Sequence, residues 1–77
     1  MNTKLFNTLG EQLDYYVNRA HKEFDSSIQR SFYDLAFGAV LFAQRLAIAD
    51  DDFESANAFG KLWFDKYQPA FEERGVA

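Results

Sequence analysis

The sequence predicts an all-α fold: a small three-helix bundle, or a helical hairpin plus a third helix, closed by a short C-terminal helical turn. Three observations carry this. Apolar residues recur at steps of three and four along most of the chain. Two polar clusters, Asp25-Ser26-Ser27 and Asp50-Asp51-Asp52, interrupt the pattern with residues that cap helices. Leu35 to Ala49 is apolar except for Gln44 and Arg45, so a helix built from it is hydrophobic on two faces and needs neighbours on more than one side. In a chain of 77 residues those neighbours are few. The expectation is therefore one helical domain over residues 1–77, paired into a homodimer.

The first helix is expected from Thr3 to Phe24, where Phe6, Leu9, Leu13, Val17, Ala20 and Phe24 share one face and Asn7, Glu11, Asp14, Asn18 and Lys22 share the other. Gly10 weakens a helix interior by up to about 1 kcal/mol relative to Ala, and close approach of another helix there would explain it. Neither Gly nor Pro enforces the break that follows. Ser26 with Gln29 has the spacing of a capping box and opens the second helix.

The second helix, roughly Ser27 to Ala49, would run about 33 Å. Its main stripe is Ile28, Phe32, Leu35, Ala39, Phe42 and Leu46, expected to face the core. A second stripe, Tyr33, Phe37, Leu41, Gln44 and Ile48, falls on the opposite side when each residue advances by about 100°. Two opposed stripes exceed what two neighbours at adjacent corners of a triangle can cover. Gly38, beside Ala39, suits a close helix crossing, from the same chain or from a second copy.

Asp51 with Glu54 repeats the capping-box spacing and starts the third helix, Phe53 to about Tyr67. Phe53, Ala56, Gly60, Trp63, Phe64 and Tyr67 mark its inner face, with Phe59 and Leu62 away from the centre. Pro69 disfavours helical geometry at Gln68 and opens a terminal helix from Pro69 to Arg74, ended by Gly75.

Charge and composition narrow the function. A net charge of −4 and a pI near 4.7, with cationic residues dispersed, argue against a nucleic-acid binder. No cysteine means no disulfide framework and no thiolate metal site, in keeping with the cytoplasm. The start of the chain alternates polar and apolar residues, unlike a secretory signal, and Leu35 to Ala49 is short for a bilayer span and carries Arg45. The expectation is a soluble protein with no membrane partner.

Catalytic and metal chemistry find little footing. His21 is the one histidine, expected at the surface near a helix end, and with Asp25 it supplies two ligands at helical spacing, too few for a metal site. A calcium loop counted from Asp50 would need Gly and Glu where Ser55 and Lys61 stand. The serines sit in capping or helical contexts without a nucleophile elbow, and the carboxylate pairs Glu11 with Asp14 and Glu72 with Glu73 lie on solvated faces. No enzyme activity, cofactor or metal is expected.

What remains is an apolar surplus. Tyr33, Phe37, Leu41, Gln44, Ile48, Phe59 and Leu62 are the expected interface, and the expected role is a non-enzymatic protein–protein interaction module that self-associates through the second helix. Two other readings stay open: a small acidic inhibitor or adaptor, of the kind carried by phage and mobile elements, that binds a host or defence protein; and a helical pocket for an apolar small molecule, lined by Phe32, Phe42 and Trp63.

Overall fold

The computed structural model describes residues 1–73 and is all-α, with no strand among those residues. Helix α1 spans Thr3–Lys22, α2 spans Ser26–Ala49 and α3 spans Phe53–Leu62; a π-helical turn, Trp63–Tyr67, then leads into α4, Gln68–Glu72. The last three segments form one nearly continuous rod, so the molecule is a compact bundle of three helical rods, about 40 × 17 × 17 Å. The expected end of the terminal helix, Arg74 and Gly75, lies outside the described residues.

Helix α1 buries Leu9, Leu13, Val17 and Ala20, the middle of its expected stripe. Phe6 is half-buried and stacks on Phe59, with ring centroids 6.2 Å apart. Phe24 is a correction. The helix ends at Lys22 and Phe24 is fully exposed, because the backbone turns extended at Glu23 before the stripe reaches it. Gly10 is not forced by a helix crossing either, since a Cβ there would meet the Tyr67 hydroxyl at an ordinary 3.8 Å.

Both breaks use capping residues one position away from those expected. At α2 the cap is Asp25, whose carboxylate accepts from the Ser27 N–H at 2.8 Å, while Gln29 reaches back to the Glu23 carbonyl. At α3 the cap is Asp52, which accepts from the N–H and hydroxyl of Ser55. These hydrogen bonds, side chain first, hold the Asp52 carboxyl below its ordinary range. Buried Ser55 also accepts from the Asn2 N–H at 2.8 Å, tying the start of α1 to the start of α3. Asp51 closes α2 instead: it takes φ 56°, its N–H bonds the Ile48 carbonyl, and the Asp52 N–H bonds that of Ala47. This is a Schellman closure with aspartate where glycine is usual.

Helix α2 departs most from expectation. Its buried residues are Ala36, Val40, Ala43 and Ala47, an arc a quarter-turn from both expected stripes. The main stripe is not the core: Ile28, Leu35, Phe42 and Leu46 are exposed, and only Phe32 and Ala39 are half-buried. Packing explains the choice. The third rod brings Phe59, Trp63, Tyr67 and Phe71, each at most 3% exposed, and α1 brings leucines. Space for them between three rods exists only where α2 offers small side chains.

Phe59, Trp63, Tyr67 and Phe71 lie at uniform steps of four, and in an α-helix such a stripe drifts by about 40° per step. The π turn removes the drift by taking up an extra residue, with the Gln68 N–H bonded to the Trp63 carbonyl. It also lets the rod run through Pro69, so Gln68 is helical and the expected stop does not occur. Phe59 therefore sits at the centre of the buried face, whereas Phe53 and Phe64, expected inside, are 58% and 63% exposed.

Tyr67 locks this rod to α1. Its hydroxyl lies 2.7 Å from Asp14 Oδ1 and 3.1 Å from the Gly10 carbonyl oxygen. Burial first, then the hydrogen bond to Asp14 and the Asp14 charge, push the phenol well above its ordinary value of 10.0. A group raised on folding contributes stability that is fully present below its unfolded value and lost as pH rises through the folded one. Thermal melts should therefore show a native chain weakening above about pH 10. Tyr67→Phe should cost about 1 kcal/mol at neutral pH and show a flatter alkaline decline. An unchanged alkaline decline in Tyr67→Phe would assign that loss to other groups.

Candidate interaction surface

The expected interface residues separate into three environments. Phe59 belongs to the core of the single chain, at 0% exposure, and is removed from the interface. Tyr33, Gln44 and Leu62 are half-buried and engaged within the chain. The Tyr33 ring meets Trp63 and Phe71 edge-on, each at 5.4 Å, with the Arg30 guanidinium 4.6 Å from its centroid on an outer side. Gln44 Nε2 donates to the Ala56 carbonyl at 3.1 Å, and a Cβ at Gly60 would come within 2.8 Å of that nitrogen, so Gly60 keeps room for the amide. Leu62 lines an open groove between α1 and α3 with Phe6 and Lys61.

Phe37, Leu41 and Ile48 form the third group, and they are 38%, 48% and 49% exposed. Phe37 lays one face on Trp63 at 5.5 Å and presents the rest outward. On the other flank of α2 stand Leu35, Phe42 and Leu46, exposed although expected in the core. Phe42 and Leu46 border an open groove of about 230 Å³ against Leu5, Leu9 and Gln12 of α1. The signal that could have found this flank was the regular series Ala36, Val40, Ala43, Ala47, a small-residue arc opposite a rod of aromatics.

Between the two apolar flanks, along the outermost line of α2, lie Asp34, Gly38 and Arg45, all exposed. A Cβ at Gly38 would meet nothing within 4 Å, so no helix among the described residues crosses there. Asp34 pairs with Arg30 at 3.3 Å along the helix surface, and Arg45 takes part in no ion pair among the described residues. The full helix is long and apolar enough by length and composition to cross a membrane, more than its apolar centre alone suggested, and 22% of its most apolar 18 residues are buried in the bundle.

Phe32, Phe42 and Trp63 do not line a common pocket. Trp63 is sealed at 1% exposure, Phe42 is 64% exposed, and Phe32 packs on Tyr16. His21 is half-buried rather than free at the surface, its Nε2 3.1 Å from the Ala70 carbonyl oxygen, which joins α1 to α4. Comparison with protein-family models, curated proteins and solved structures finds no match for this chain.

Proposed function

We propose that this chain is a non-enzymatic protein–protein interaction module that self-associates through α2 as a homodimer. The observation that carries the reading is the outer surface of α2, where Leu35, Phe37, Leu41, Phe42, Leu46 and Ile48 are all 38% or more exposed on one helix. Water-exposed apolar side chains in this density mark contact surfaces, and burying them against a copy releases the ordered water around them. A protein surface suits the face better than lipid because Asp34 and Arg45 stand on its outermost line, where acyl chains would offer them no partner.

Light scattering coupled to gel filtration tests this over a wide concentration range. The native chain is expected to elute as a dimer. Leu41→Glu should raise the dissociation constant roughly 100-fold or more, because each copy would bury an unpaired carboxylate, while far-UV circular dichroism keeps its helical signal. A variant that stays fully dimeric would move the interface off Leu41. A native monomer throughout the range would overturn self-association, and co-sedimentation of that monomer with phosphatidylcholine vesicles would assign the face to a membrane instead.

A further inference from the structure

The outermost line of α2, taken together with Leu41 and Ile48 at the edge of one flank, carries a pattern that the core does not explain. Ser31, Asp34, Gly38, Leu41, Arg45 and Ile48 follow one another at alternating steps of three and four, the spacing of a coiled-coil seam. All six are exposed, and they lie on the side of α2 away from Ala36, Val40, Ala43 and Ala47. The helix thus has two seams, one filled by its own chain and one left open by the described residues.

We propose that two copies fill the outer seam by packing α2 against α2 in antiparallel orientation, with Asp34 of each copy opposite Arg45 of the other and Leu41 of each over Gly38 of the other. This rests on the self-association proposed above and adds its direction and register. In an antiparallel pair each step forward on one helix is a step back on its mate, so the register that sets Asp34 against Arg45 also sets Gly38 against Leu41 and Ser31 against Ile48. One alignment satisfies every position of the seam. The two charges are of opposite sign, and the glycine, with open space above it, receives the bulky leucine.

A parallel pair would place each position against itself. Asp34 would face Asp34 and Arg45 would face Arg45, while the acidic turn Asp50 to Asp52 would meet its own copy, concentrating six carboxylates at one end. Antiparallel packing instead carries that acidic turn to the N-terminal end of the other α2, where the helix macrodipole is positive and Arg30 stands near Asp50 of the opposing copy. Polar seam positions are the usual means of fixing register and orientation at some cost in affinity. Asp34 and Arg45 are placed for that task, and the Asp34 to Arg30 pair within the chain is a solvent-exposed contact easily exchanged.

Charge exchange tests the register in the full chain by sedimentation equilibrium, with circular dichroism confirming that each variant keeps its helices. Asp34→Arg and Arg45→Asp should each raise the dimer dissociation constant roughly tenfold or more, because each creates two like-charge contacts. The double variant should return to within about threefold of the native value, since both pairs are then restored with signs exchanged. A parallel pair would keep like charges in all four proteins, so single variants indistinguishable from a dimeric native chain, or a double variant as weak as the singles, would overturn this register while leaving self-association intact. A monomeric native chain would remove both. Because the sequence has no cysteine, a second measurement is direct: Ser31→Cys mixed with Ile48→Cys should oxidise to the mixed dimer, and disulfides linking Ser31→Cys only to itself would show a parallel pair.

Discussion

Trp63→Ala is expected to lose about 3–5 kcal/mol of folding stability, most of what a bundle of this size holds. Trp63 is the largest fully buried side chain and 1% exposed. Its ring contacts Tyr33 edge-on at 5.4 Å, Phe37 face-on at 5.5 Å and Phe71 at 6.0 Å, so its removal leaves three aromatic rings without their common neighbour. The cavity would lie at the π turn, where the rod cannot close up without moving Pro69 and the Tyr67 hydroxyl together. Urea unfolding followed by circular dichroism measures the loss, and Trp63→Phe should recover a large part of it. A loss below about 1 kcal/mol would mean that the cluster does not organise the core.

The second large effect concerns the alanine arc. Ala36→Leu should destabilise the chain by about 1–3 kcal/mol, although it adds apolar surface to a helix already rich in it. Ala36 is 0% exposed and borders none of the open grooves described above, so a leucine there has to push α2 away from its neighbours. Phe42→Ser, on the same helix, should change stability by only about 0.5 kcal/mol, since Phe42 is 64% exposed. Urea midpoints measured at a concentration where both variants are monomeric separate the two. The reverse order would place the buried face of α2 on its bulky stripe.

That pair of variants marks where the sequence stopped being informative. The amphipathic pattern of α1 pointed to Leu9, Leu13, Val17 and Ala20, and all four are buried. The number of helices and the positions of both breaks were legible for the same reason, because polar clusters punctuate periodic apolar runs. The caps slipped by one residue because Asp25 and Ser26, and likewise Asp51 and Asp52, are chemically equivalent choices that only backbone geometry distinguishes. Helix α2 was ambiguous for a deeper reason. An apolar helix has little directional signal, and weighting residues by hydrophobicity favours Leu and Phe over the alanines that its neighbours need. Phe59 was displaced from core to interface because an uninterrupted α-helical wheel cannot anticipate the π turn. The exposed residues common to expectation and structure, Phe37, Leu41 and Ile48, survive because both packing arrangements turn that flank outward.

The π turn has a consequence for how this chain can change length. It is geometrically equivalent to one residue inserted into a regular helix: shorten the segment between Trp63 and Tyr67 by one, and the buried positions fall at steps of four, three and four, the ordinary rhythm of an α-helical face. Chain length and core composition are thereby uncoupled at this point. Loss of a single residue here can be absorbed in the winding of the backbone, which returns to a regular α-helix and keeps the same four aromatic rings on one face.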